Sequence, residues 1–199
     1  MGLVLTGYDD LPYGHIGEES WRRYASYQGY DFLCVRKFHE GSHPAWQKME
    51  IIRDHIKDHD WVFWTDIDSV CTNKEINVDR YVPKDPNIVS ASRDWGRDPG
   101  WSAGHMVLVP EADEFLARAQ KLVQWKNTPL WDQTAMRDSA GPNTVNVLPR
   151  RAMNSISADV WPNTKATWEP GDFLVHITGI PHDKRTPHME KFFEIGEKE

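Results

Sequence analysis

Two aspartates one residue apart, Asp66 and Asp68, follow a run of large apolar residues, Trp61-Val62-Phe63-Trp64. Paired carboxylates are hard oxygen donors, the ligand type that Mg²⁺ and Mn²⁺ take. The run is continuous rather than alternating, which predicts a strand covered by helices on both faces, as in a parallel sheet. Residues i and i+2 of a strand point to one side, so a strand carried through Asp68 aims both carboxylates the same way. In open α/β sheets ligands bind beyond the carboxyl ends of the strands, where this pair falls. The competing reading is a pair of solvated loop residues, because a bare D-x-D arises by chance. The apolar lead-in favours the metal.

Other residues offer less specific chemistry. His176 sits in the apolar, strand-like segment Phe173-Leu174-Val175-His176-Ile177, where an imidazole without a partner is costly. It is therefore either a ligand or a core histidine bonded to a backbone carbonyl. His55 and His59 have the i, i+4 spacing of a chelating pair, but no third ligand accompanies them on an otherwise charged helix, so they read as a solvated face. There is no G-x-G-x-x-G after the first strand, no Walker lysine motif and no G-x-S-x-G. These absences argue against a Rossmann dehydrogenase, a P-loop enzyme and a serine hydrolase.

Composition sets the bounds. The 199 residues suffice for a single domain, 1–199, with one good core. A net charge of −7 argues against a nucleic-acid surface. The two cysteines, Cys34 and Cys71, form no disulfide framework, which favours a reducing compartment and a cytoplasmic protein. No apolar run approaches the ~20 residues of a transmembrane segment, and the N-terminus has no signal-peptide pattern. Ten tryptophans suit either a core or stacking walls for sugars and bases.

The elements that must position these residues alternate. Strands are predicted at 2–7, 30–36, the central run, 87–92, 106–109, 145–149 and 172–179, and helices at 18–28, 46–59, 111–125 and 130–136. Trp21, Tyr24, Ala25 and Tyr27 are candidate packing residues of the first helix. Trp46, Met49, Ile52 and Ile56 form the core stripe of the second. Phe115, Leu116, Ala119, Leu122 and Val123 do so in the third. The charged stretch 183–199 reads as a peripheral helix or tail. This order predicts an α/β domain with a mainly parallel central sheet flanked by helices. Thr6 ends the first strand, and the loop that follows such a strand often meets a nucleotide.

Several segments together resemble one family. Tyr24-Ala25 with Gly29-Tyr30, Trp46-x-Lys48, the Trp-rich strand ending in Asp66-x-Asp68, Asp132-Gln133, and Phe173-x-x-His176-x-x-Gly179 occur in the order found in GT-A glycosyltransferases. Within that class they resemble the group of fungal α-mannosyl- and α-galactosyltransferases and plant xyloglucan xylosyltransferases. Ser102-Ala103-Gly104 stands where that group carries N-T-G or N-x-G, so the Asn is missing. The membrane anchor and stem of eukaryotic members are also missing, as expected of a minimal bacterial or viral catalytic domain.

The resemblance implies the GT-A fold and a metal-dependent glycosyltransferase moving a sugar from a nucleotide-sugar donor (a UDP- or GDP-sugar) to a glycan or glycoconjugate acceptor, with retention of configuration. It assigns Asp66, Asp68 and His176 to a cation. An imidazole ligand suits Mn²⁺ better than Mg²⁺. Lys48, Gln133 and Asp66 are then candidates for the donor, beside Thr6 from the first strand's end, and Asp132 for a carboxylate near the reacting sugar. For Asp132 the alternative is a cap of the helix that follows, and for Lys48 a solvated helix-face lysine. Asp94 either binds donor-sugar hydroxyls or caps its loop, and either Asp94 or Asp132 would act as base if transfer inverted. Trp95, Trp101 and Trp131 are candidates for an acceptor platform. The competing functions are a nucleotidyl- or phosphotransferase using the same carboxylates and a non-catalytic carbohydrate-binding protein using the tryptophans.

Overall fold

The computed structural model describes residues 1–39, 43–94, 100–128, 130–161 and 167–198. Along the chain they form β1 (Leu3–Gly7), α1 (Gly14–Gln28), β2 (Asp31–Val35), α2 (Pro44–Ile56), β3 (Val62–Thr65), β4 (Ser69–Cys71), β5 (Val89–Arg93), β6 (Trp101–Leu108), α3 (Ala112–Gln120), α4 (Trp131–Ser139), β7 (Val145–Leu148), α5 (Arg150–Met153), β8 (Ser155–Ile156), β9 (Leu174–His176) and α6 (Thr186–Gly196). The main sheet has the order β2-β1-β3-β6-β5-β7. β1 runs parallel to β2 and β3, and β5 runs parallel to β7. β6 is antiparallel to both of its neighbours. One strand thus opposes the other five, and the predicted mainly parallel sheet is what the chain forms.

The central strand is buried on both faces, as its unbroken apolar run requires. On one side Trp64, Leu5 and Met106 pack with Met49, Ile52 and Ile56 of α2 and with Phe115 and Leu116 of α3. On the other Phe63 and Val4 meet Trp21, Tyr24 and Ala25 of α1 and Phe173. The α2 stripe lies at the predicted helical spacing. His43 caps that helix, its Nδ1 accepting from Ala45 N at 3.2 Å, and Pro44 occupies the first turn, where no amide hydrogen is needed. Two of the expected packing residues are exposed instead: Tyr27 reaches out to Glu75, and Val123 follows the end of α3.

A second, three-stranded sheet, β4-β9-β8, leans on the first. β4 continues directly from the turn after β3, and β9 pairs with it antiparallel, Ser69 opposite His176. Helix α1 starts at Gly14, earlier than its apolar pattern indicated, and its first turn presses on the turn that carries the aspartates. A Cβ at Gly17 would lie 2.2 Å from the Ile67 carbonyl oxygen, so this approach needs glycine. The C-terminal stretch is no loose tail. Met189 and Phe192 of α6 are buried with Ile67, Val70, Val175 and Ile177.

Candidate active site

Asp66 and Asp68 lie in the turn between β3 and β4, not on the strand itself. Strand alternation therefore does not aim them. The turn does, held from beneath by buried Ile67 and from the side by β6, whose Gly104 carbonyl accepts the Asp66 amide at 2.7 Å. One ligand atom each from Asp66, Asp68 and His176 lie within 4.8 Å of one another.

Each of the three groups has one atom held and one presented. Asp66 Oδ1 accepts from Trp64 Nε1 at 2.8 Å and lies 2.9 Å from Lys48 Nζ. Asp68 Oδ2 is paired with Arg185 Nη1, while Oδ1 faces His176 Nε2 at 3.2 Å. His176 Nδ1 lies 3.0 Å from Asn154 Oδ1. An amide oxygen only accepts, so Nδ1 donates to it and Nε2 is the nitrogen turned toward the carboxylates. Two carboxylates and an imidazole anchored through Nδ1 to a buried amide form a donor set that fits a divalent cation such as Mn²⁺.

The electrostatics follow from burial and pairing. Burial alone would raise the Asp68 carboxyl, but His176 and Arg185 outweigh it and hold it well below the usual carboxylate range. Asp66 moves the other way. Burial, with Asp68 and Asp132 nearby, raises it despite Lys48. Burial would lower the Lys48 ammonium, yet Asp132 and Asp66 push it above its ordinary value. The charge of Asp66 is thus costly, while that of Asp68 is stabilised by its partners.

These groups face a cleft of about 780 Å³ lined by Lys48, Asp66, Asp68, Asp94, Asp132, Gln133 and His176, with Gly7, Tyr13, Phe38, Trp131, His182 and Arg185 among its other walls. Lys48 is no solvated lysine. It is 4% exposed and its Nζ lies 2.9 Å from both Asp66 and Asp132 and 3.0 Å from the Ala103 carbonyl oxygen. Asp132 is not the cap of α4, because Leu130 holds that position with no side-chain capping bond. Gln133 joins β6 to Asp94, its Oε1 accepting from Ala103 N at 2.8 Å and its Nε2 donating to Asp94 Oδ2 at 3.1 Å. Asp94 Oδ2 also accepts from Arg137 Nη2 at 2.7 Å.

Not every expected site residue arrives. Thr6 is fully buried and is not a wall of the cleft, whereas its neighbour Gly7 is. Trp101 is 7% exposed within the main core, whereas Trp131, stacked on His43 with centroids 3.9 Å apart, lines the cleft, as does Trp64 of β3. Trp95 lies outside the described residues. His59 is tied to Asp31 and to its own helix, with Nε2 3.4 Å from the Asp31 carboxylate and Nδ1 3.0 Å from the His55 carbonyl oxygen.

Four residues near the site were not singled out in the sequence. Arg185 belongs to the segment read as peripheral. Behind it stands Tyr13, buried, with its hydroxyl 3.2 Å from Arg185 Nη1 and 2.7 Å from His182 Nδ1. Asn154 follows a short helix of no recognisable motif. His105, 1% exposed, stands edge-on to His176 with ring centroids 4.7 Å apart, and neither of its nitrogens has a hydrogen-bond partner. Burial, reinforced by His176, holds that imidazole well below its usual range and so neutral.

The family model for the galactosyl transferase GMA12/MNN10 family matches residues 15–93, from α1 through β5, a span that includes Lys48 and both aspartates. No curated protein sequence matches the chain. Among solved structures, the chain is similar to a glycosyltransferase involved in the glycosylation of the major capsid of PBCV-1, with 20% identity and a TM-score of 0.80 over 96% of this chain and 98% of that one. It is similar to the glycosyltransferase GlyE of Streptococcus pneumoniae TIGR4, with 14% identity and a TM-score of 0.67 over 98% of this chain and 59% of that one. A Drosophila beta-1,4-galactosyltransferase 7 mutant, in complex with manganese, UDP-Gal and xylobiose, matches with 12% identity and a TM-score of 0.50 over 93% of this chain and 74% of that one. At such identities the likeness is one of fold. These likenesses give the chain the GT-A fold. Within that class the chain resembles the GMA12/MNN10 galactosyl transferases over residues 15–93.

Proposed function

We propose that the chain transfers a sugar from a UDP- or GDP-sugar to a hydroxyl of a glycan or glycoconjugate, that transfer depends on Mn²⁺ or Mg²⁺, and that it retains the anomeric configuration. The observation that carries this reading is the convergence of Asp66, Asp68 and His176 within 4.8 Å on the wall of a cleft of about 780 Å³. A divalent cation held by these three residues would offset the charge that builds on a departing diphosphate. Lys48 joins the Asp66 carboxylate to that of Asp132, so the cation seat and the carboxylate nearest the reacting sugar share one ammonium. Asp132 then stabilises an oxocarbenium-like transition state or acts as nucleophile. Asp94, tied to Arg137 and Gln133, positions the donor sugar. Trp131 offers a ring face to the acceptor. The free cysteines Cys34 and Cys71 agree with work in a reducing compartment such as the cytoplasm, and no described helix is long and apolar enough to cross a membrane.

The test is incubation with a panel of UDP- and GDP-sugars and simple glycosides in Mn²⁺. Free nucleoside diphosphate and an NMR-resolved product of unchanged anomeric configuration are expected, and both should vanish in excess chelator. Activity that survives chelation would refute the cation's role. An inverted first product would refute retention. Release of pyrophosphate or nucleoside monophosphate would instead mark a nucleotidyl- or phosphotransferase, and sugar binding without turnover a carbohydrate-binding protein.

A further inference from the structure

Gly104 lies within β6, where an ordinary strand residue would serve, and its φ is not in the left-handed region that favours glycine. Glycine weakens a strand interior, so its presence calls for a reason in the surroundings. A Cβ built there would lie 3.1 Å from Asp66 Oδ2 and 3.2 Å from His176 Cε1, with Ser102 Oγ next at 3.4 Å. The missing side chain points at the gap between two of the three groups that would hold the cation.

The strand cannot retreat to make room. The Gly104 carbonyl is bound by the Asp66 amide at 2.7 Å, and its own amide donates to Ser102 Oγ at 3.2 Å. One residue earlier, the Ala103 carbonyl accepts from Lys48 Nζ at 3.0 Å and the Ala103 amide donates to Gln133 at 2.8 Å. Asp66 is held through Oδ1, and His176 through Nδ1, which leaves Oδ2 and the ring edge as the parts able to yield. Those are the parts turned toward the cation. A methyl group at position 104 is therefore accommodated by displacing Asp66 Oδ2 or the His176 ring edge by a small shift into the cleft that both line.

We propose that Gly104 sets the clearance of the cation seat: it is a positioning residue, acting through Asp66 and His176, that keeps their ligand atoms at binding distance by having no side chain. This inference rests on the cation reading given above. The test measures Mn²⁺ affinity calorimetrically, without nucleotide, for wild type, Gly104→Ala and Gly104→Val, together with circular dichroism and the melting temperature of each metal-free protein. Gly104→Ala is expected to stay folded and to bind Mn²⁺ roughly tenfold more weakly, in the range found when a group supporting metal ligands is altered. Gly104→Val is expected to bind more weakly still. An Ala variant that is folded and binds Mn²⁺ as wild type does overturns the inference, whether or not the Val variant folds. Wild-type protein that takes up no Mn²⁺ overturns the cation reading and this inference with it. Affinity lost in Gly104→Ala while wild type binds supports both.

Discussion

At the scale of single residues, the cation seat consists of groups each secured at one atom so that another is offered. Asn154 shows this most plainly. Its amide oxygen lies 3.0 Å from His176 Nδ1 and so turns Nε2 toward the carboxylates. Asn154→Ala should weaken Mn²⁺ binding by roughly 10- to 100-fold, the usual effect of removing a partner of a metal-bound histidine. Titration followed by Mn²⁺ electron paramagnetic resonance would report it, and unchanged affinity would mean His176 needs no such support. Asp66 leads to a prediction of opposite sign for stability and activity. Its carboxyl is raised by burial, then by Asp68 and Asp132, so its charged form costs more in the metal-free fold than in the unfolded chain. Asp66→Asn should raise the melting temperature of the metal-free protein while cutting transfer on the order of 10²–10³-fold, the scale on which a transition-state charge partner counts. A lower melting temperature with activity retained would contradict both halves.

At the scale of elements, the cleft is framed by helix starts. The N-terminal turns of α2 and α4 meet where His43 stacks on Trp131, and the turn that carries the aspartates rests on the first turn of α1. Because Trp131 leaves only one ring face for a ligand, Trp131→Ala should raise the acceptor KM roughly tenfold, equivalent to the ~1.5 kcal/mol of a good aromatic contact. The donor KM should stay unchanged, and Trp131→Phe should recover most of the loss. A change confined to the donor KM would place the ring at the other substrate. Here the limits of the sequence are clear. Asp66, Asp68 and His176 stood out because each ends or interrupts an apolar pattern, whereas Lys48 lies off the α2 stripe and its burial left no mark in the sequence. The burial of Thr6 was not legible because periodicity says that a residue ends a strand but not which face it takes. The reversed direction of β6 was invisible because apolar content carries no strand polarity. Trp101 and Trp131 looked alike in sequence, yet one is core and the other wall, a difference that only packing decides.

At the scale of the whole molecule, one interaction joins the chain's end to its centre. Arg185, just before α6, holds Asp68, and Tyr13, just before α1, stands behind Arg185. No local motif marks Arg185, because a long-range ion pair leaves no spacing to read. Its effect should appear in the acid limb of stability. The Asp68 carboxyl is held below the ordinary value of about 3.9, so its pairing stabilises the fold above that value and is lost as pH falls through its own lower one. In Arg185→Gln, metal-free protein should be less stable at pH 6, and the difference from wild type should shrink as the pH is lowered toward 2, as thermal melts at each pH would show. A gap that widens toward acid would have the wrong sign for this pair. The second sheet has a further consequence, for the order of biosynthesis. Asp68 leads into β4, but β4 finds its partner only in β9, which is followed by Arg185 and α6 at the chain's end. A ribosome releases both aspartates long before it releases His176, and domains are assembled as their segments emerge. The nascent chain therefore carries Asp68 without His176 and Arg185 until every strand of the main sheet has been made.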